Sequence, residues 1–270
     1  MLPTFLAQFA AGCYLAVAGS AIQQSGWKYL RLMAVVCLCL TLIALVTMLR
    51  DPVAGQDAQR EVVKYGLSLG LLFGGVWLFA NAGQGEAVRN TQRLWPLLAG
   101  LCCLVAAVAL VLRPDTLIRY PGADRITAPL ISSAVTTILG AGMLGTVTAA
   151  MLLGHRYLTD TDMPIAPLRR LAKIYLIVVG LRFVWLGFAS IPVFSAGFHP
   201  RGDYTWFWLM VCIRGGVGVF GTGVFAWMVW DCVKRRATQS ATALFYLSMI
   251  FVFLGELAGQ YLTRTESLAM

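Results

Sequence analysis

Charge is what this sequence has least of. Asp, Glu, Lys and Arg make up 12% of its 270 residues, about half the ~25% carried by a soluble domain. Histidine is rarer still, at two residues, which leaves little material for an all-histidine metal or haem site. Long polar stretches are missing too, so a soluble domain and an intrinsically disordered chain are both excluded. The seven cysteines show no C-x2-C spacing: Cys37 and Cys39 form C-x-C, Cys102 and Cys103 are adjacent. That argues against zinc, redox-dithiol and disulfide-scaffold readings. Cys13, Cys37, Cys39, Cys102, Cys103, Cys212 and Cys232 all fall within or at the ends of apolar runs, and thiols packed between helices are expected.

Apolar side chains are what the sequence has in abundance. They account for 59% of the residues, and the mean hydropathy is +0.76. A water-soluble globule of this length would leave much of that surface exposed, and lipid is the solvent that suits it. The net charge of +9, from 21 basic and 12 acidic residues, would suggest nucleic acid in a soluble protein. Here the basic residues sit between apolar runs, where they set orientation in a membrane. No nucleic-acid partner is expected.

Eight apolar runs are long enough to cross a ~30 Å hydrocarbon core at 1.5 Å per residue. They cover roughly 3–22, 29–49, 62–83, 94–113, 127–153, 170–193, 204–230 and 241–262. The expected fold is an all-α integral membrane protein, a single polytopic domain over 1–270 built as an eight-transmembrane-helix bundle. The polar link at 114–126 divides it into two sets of four helices, without a detectable repeat between them. The first run has no basic n-region and a second run follows at once, so a cleaved signal peptide is not expected. Lys and Arg in alternate connections number eleven against eight, a bias that puts both termini on the non-cytoplasmic side, with a bacterial inner membrane as the expected location.

Small residues mark close helix packing. Gly66, Gly70 and Gly74 recur every four positions, Gly140, Ala141, Gly142 and Gly145 cluster in the fifth run, and Gly215, Gly216, Gly218, Gly221 and Gly223 in the seventh. Lipid supplies no hydrophobic force between helices, so close backbone approach has to hold them together. Compact packing accounts for these glycines; room for a cofactor or lipid head beside Arg214 is the alternative.

Ionisable residues deep in apolar runs are the most informative, because each is costly unless paired or hydrated. Arg182 lies twelve residues into the sixth run, Arg214 ten into the seventh and Glu256 fifteen into the eighth. Both arginines fall near the midplane and Glu256 in the outer half. Three consecutive antiparallel helices thus bring one carboxylate and two guanidinium groups to compatible depths, and a shared buried cluster is expected. Two positive charges against one negative call for a further partner: a water-filled cleft, backbone carbonyls at the glycine-rich turn of the seventh run, or an acidic group on a ligand or neighbouring subunit. A structural ion pair with one Arg snorkelling to the interface stands beside that reading.

His155, in Gly154-His155-Arg156-Tyr157, closes the fifth run, and His199 lies in the connection on the opposite side. A bis-histidine haem is therefore disfavoured, and Met143 or Met151 sits on His155's own helix and suits the second axial position poorly. His155 could handle quinol or protons at headgroup level or simply anchor the helix. Tyr204, Trp206, Phe207 and Trp208 fit an interfacial belt, with Trp227 and Trp230 at the other end. Trp185, three residues after Arg182, is placed to stack on a guanidinium or a flat ligand. No covalently bound cofactor and no metal site are expected, and no hydrolase or nucleotide motif is present.

The last run reads Phe253-Leu-Gly-Glu256-Leu-Ala-Gly259-Gln260-Tyr261-Leu262. With eight spans and no extramembrane domain, it resembles the membrane-anchor subunits of the NrfD/DmsC class, although Gln260 stands where that pattern has an Arg. The resemblance implies a non-catalytic subunit of a redox or energy-converting complex, exchanging electrons with quinone and assembled with other membrane-protein subunits rather than working as a stand-alone enzyme. A small-molecule or ion transporter and a purely structural assembly subunit stay open as alternatives.

Overall fold

The structure, a computed structural model, describes residues 1–20, 24–50, 57–80, 93–112, 127–159, 163–195 and 203–266. Every regular element among them is helical: α1 (Leu2–Gly19), α2 (Trp27–Arg50), α3 (Asp57–Ala80), α4 (Leu94–Val111), α5 (Thr127–Thr159), α6 (Ala166–Ser195), α7 (Tyr204–Lys234) and α8 (Thr238–Thr265). All eight are long and apolar enough to cross a bilayer.

The ends follow local chemistry rather than hydropathy. Asp203 accepts a hydrogen bond from the Thr205 N–H (3.0 Å) and caps α7, while Pro3, Pro96 and Pro167 occupy first turns, where a missing N–H costs nothing. The amide of Gln59 donates to Leu112 O (3.0 Å) and to Ala109 O, satisfying carbonyls at the end of α4 that have no partner within their own helix. Several helices outrun their apolar cores. α5 runs through Gly154-His155-Arg156 to Thr159 and α6 starts at Ala166, because a polar turn remains helical once the turn before it has formed. Between α7 and α8, Arg236 adopts a left-handed conformation (φ 59°), and Ala237 N–H donates back to Cys232 O (2.9 Å), closing α7 tightly.

Helices α1–α4 close a ring in which each packs on its sequence neighbour and α4 returns to α1; α5–α8 close a second ring in the same order. Each ring runs up-down-up-down and both begin at the same end of the molecule. They meet along α1 and α5, the two most enclosed helices, 78% and 72% buried over their apolar spans. A Cβ on Gly12 would lie 1.9 Å from Ala141 O, and one on Gly145 1.9 Å from Gly12 C, so backbone meets backbone along this seam. Tyr29 OH, on α2, crosses to Ala149 O of α5 (3.0 Å). The α3 stripe packs as close contact predicts: Gly66 against Cys102 O and Ala106, Gly70 against Cys103, Gly74 against Tyr14. Of the cysteines, Cys13, Cys37 and Cys103 are buried, whereas Cys39 and Cys212 are exposed, contrary to the expectation that all pack between helices. Both lie on outward faces of α2 and α7, where a small apolar side chain is as acceptable as inside.

The α7 span is continuous but not uniform. Residues Ile213–Gly221 wind as a π-helix, so the glycine-rich stretch widens rather than breaks. Four glycines in nine residues weaken the α-helical preference, and Thr222 Oγ1 donates to Gly218 O (2.8 Å) at its end. Such π-wound turns are rare and cluster at functional sites. Arg214 lies within this one.

Candidate functional site

Arg182, Arg214 and Glu256 meet inside the second ring. Glu256 Oε1 receives Arg214 Nη1 at 2.8 Å and Arg182 Nη2 at 3.2 Å. Exposure of the three residues is 0%, 1% and 2%, so neither arginine snorkels. Arg214 sits ten residues from the Tyr204 end of α7 and Glu256 nine from the Thr265 end of α8, about 15 Å deep in each case. In the 31-residue α7, Arg214 lies five residues, ~7 Å, from the middle of the helix.

Further partners are backbone carbonyls of α5 and α8. Arg182 Nη1 donates to Thr136 O on α5 (2.8 Å) and Arg214 Nη1 to Gly255 O on α8 (2.9 Å). A helical carbonyl has a second lone pair, normally screened by the side chain four residues on. Here those residues are Gly140 and Gly259. A Cβ on Gly140 would lie 2.0 Å from Gln8 Nε2 and 2.3 Å from Glu256 Oε2; one on Gly259 would lie 2.8 Å from Arg214 Cζ. Gly259, on the facing helix, makes room for Arg214, and Gly140 for Gln8 and Glu256.

Neutral groups that the sequence reading passed over complete the cluster. Gln8 Nε2, from α1, donates to Glu256 Oε2 (3.1 Å). Because the carboxylate only accepts, Gln8 turns its oxygen away and receives Gln260 Nε2 (2.9 Å). One turn further on, Arg264 Nη2 donates to Thr4 Oγ1 (3.0 Å). Phe253 packs edge-on against Phe5 and Phe9, at 5.4 and 5.2 Å between ring centroids, and holds the α1 face that carries Gln8. Gln8 is a strongly polar residue within the apolar run Phe5–Ala11, and that was the available signal.

Side chains rather than close backbone packing bridge α1 and α8, and a cavity of about 40 Å³, its surface mostly apolar, occupies the gap. Arg214 and Glu256 form its inner wall; Gln8, Ser133, Thr137 and Thr263 line it, and Gln260, Thr4 and Arg264 lie towards the end that carries both termini. One water needs about 10–15 Å³ measured this way, and a cavity of ~150 Å³ holds a benzene ring. This one suits a few waters or a small ion. On the other side of the cluster, Leu144, Phe245 and Val252 are fully buried, together with Ser248 and with Tyr175, whose ring packs on Phe245.

Trp185 does join the site, though through a hydrogen bond: Nε1 donates to Thr136 Oγ1 (2.9 Å), on the residue whose carbonyl receives Arg182. His155 does not. It lies fifteen residues beyond Gly140 on α5, about 22 Å away, exposed, with Tyr246 OH 3.5 Å from its Nδ1. His199 lies outside the described residues, as do Arg89, Arg113, Arg119, Arg125 and Arg201 of the charge count. Among the described residues no group of three or more His, Cys, Asp or Glu gathers in a metal-binding arrangement.

Comparison with protein-family profiles, curated proteins and solved structures returned no match. The site has to be read from its own chemistry.

Proposed function

We propose that the chain crosses a bilayer eight times and handles a small ion at the Arg182–Glu256–Arg214 cluster, as a transporter or channel. Support for the membrane comes from a relation between burial and composition. The most enclosed helix, α1, has the lowest mean hydropathy of the eight, 1.4, while α2, at 2.8, is only 33% buried. In water the enclosed helix would be the more apolar. In lipid the outward faces carry that demand, and the interior accepts small and polar residues. The excess of basic residues in alternate connections supports termini outside the cytoplasm, and a bacterial inner membrane is the matching location.

One observation carries the ion-handling reading: a deeply buried charge cluster forms the inner wall of a small cavity, with a fully buried core beyond it. That is the arrangement of a site facing one side of a membrane. A π-wound stretch at Arg214 adds a segment able to change its winding. The test is flux in proteoliposomes holding the full chain, challenged in turn with protons, alkali cations and simple inorganic anions. At least one should move faster than in empty vesicles, and Arg214→Lys should cut that flux about tenfold or more, since the shorter and more strongly hydrated ammonium does not reproduce the reach by which Nη1 bonds both Glu256 and Gly255. Baseline flux for every ion with folded protein would overturn the reading.

A second reading, a non-catalytic subunit of a quinone-linked redox or energy-converting complex, is favoured by α6. Only 17% of its span is buried, leaving Leu181, Phe183, Val184 and Phe188 on an outer face open to a neighbouring subunit. The cavity does not admit a quinone ring at its present size, so quinone would sit on that face or near His155. A redox-active partner retained through purification would favour this reading over transport.

A further inference from the structure

We propose that the hydroxyls of Tyr175 and Ser248 form a second, water-binding station on the axis of the α5–α8 ring. It is closed here by Phe245 and opens to the end of the bundle opposite the termini. This rests on the ion-handling reading and gives its path a second mouth.

Helices α6 and α8 stand diagonally across the ring, each packed on α5 and α7, so side chains that join them meet on its axis. Arg182 and Glu256 make one such layer (3.2 Å). Tyr175, Phe245 and Ser248, all 0% exposed, make another. The Tyr175 and Phe245 rings lie 6.0 Å apart between centroids, and Tyr175 OH faces Ser248 Oγ. Along α8, Ser248 is eight residues from Glu256 and ten from Thr238, about 12 and 15 Å.

These hydroxyls are not satisfied. Two O–H groups that face each other can make one hydrogen bond, which leaves a donor over. Here even that one lies outside ordinary hydrogen-bond geometry, and neither group has another partner among the described residues. Ser248 does not turn back onto its own helix as Thr242 does, whose Oγ1 donates to Thr238 O (2.8 Å). Phenylalanine and alanine would fill the same space without stranding a polar atom, so a buried hydroxyl left this way calls for an explanation. Water between the two groups in an open state supplies it. The same ring also has somewhere for that water to come from. Where α5 gives way to α6 and α7 turns into α8, a pocket of about 540 Å³ opens, lined by Tyr157, Met163, Pro164, Arg236 and Thr238. Phe245, three residues closer to that pocket than Ser248, closes the layer.

Ser248→Cys in a full chain otherwise free of cysteine tests this, with Thr238→Cys reporting that a charged, membrane-impermeant thiol reagent reaches the pocket. Added to oriented vesicles at the pocket end, the reagent should modify Thr238→Cys quickly and Ser248→Cys more slowly but to completion. Added at the terminus end, it should modify neither. Tyr175→Phe and Ser248→Ala should each cut proteoliposome flux about fivefold, the loss of roughly one neutral hydrogen bond. Neither should lower thermal stability, because each removes a hydroxyl that the closed state leaves unsatisfied. Ser248→Cys unmodified from the pocket end, its modification from the terminus end, or full flux in both hydroxyl variants overturns the proposal and leaves the ion-handling reading standing. Baseline flux for every ion, with Ser248→Cys still modified from the pocket end, does the reverse.

Discussion

Replacing Glu256 by glutamine leaves two guanidinium groups facing each other in an apolar interior, whereas replacing Arg182 by methionine leaves Glu256 and Arg214 as a balanced pair (2.8 Å). Removing one partner from a buried charge network costs about 3–5 kcal/mol when it strands the rest. Glu256→Gln is expected to fall in that range, and Arg182→Met to cost less than half as much. Thermal unfolding in detergent reads both, and equal losses would contradict the charge balance described here. The three charged residues were legible in the sequence because an ionisable group deep in an apolar run demands an explanation. Their partners were not. Thr136 O and Gly255 O are backbone atoms, and every residue has one. Gln8 and Gln260 are neutral, and a neutral amide in a helix carries far less information than a charge. The pattern that would have helped is a glycine four residues after each receiving carbonyl, Gly140 and Gly259.

Helices were legible as apolar lengths and illegible at their ends. The hydropathy of α5 fades near Gly154, yet its hydrogen-bonded ladder continues to Thr159; the π-winding of Ile213–Gly221 in α7 follows local backbone preference that hydropathy does not register. Glycine patterns announced close packing without saying against what. Gly145 belongs to the seam with α1, where a Cβ would strike Gly12 backbone at 1.9 Å, while Gly216 has nothing within 4 Å. Gly145→Ala is therefore expected to destabilise the protein by several kcal/mol, at or above the ~1–3 kcal/mol usual for overpacking, because neither backbone can yield. Gly216→Ala should be neutral or slightly stabilising, since Ala is the better helix former. Urea or thermal unfolding of the two variants side by side checks this, and a tolerated Gly145→Ala would mean the seam is looser than described.

At the scale of the whole molecule, eight helices and a division near residues 114–126 were readable from apolar runs and the polar link. Which helices occupy the centre was not. α1, the least apolar span at a mean hydropathy of 1.4, is the most enclosed at 78%, whereas α2, at 2.8, is 33% buried. Both rings begin at the same end, so the cavity between α1 and α8 lies where α1 begins and α8 ends, and the far side holds fully buried Leu144, Phe245 and Val252 with Tyr175 and Ser248. The central claim is that water reaches the buried charges from that one side. It is tested by introducing a cysteine at Gln260 or Thr263 in a chain freed of its seven native cysteines, and adding a charged, membrane-impermeant thiol reagent to vesicles of known orientation. Reaction from the side that carries the termini, and not from the other, is the predicted result. No reaction from either side, or equal reaction from both, would contradict it.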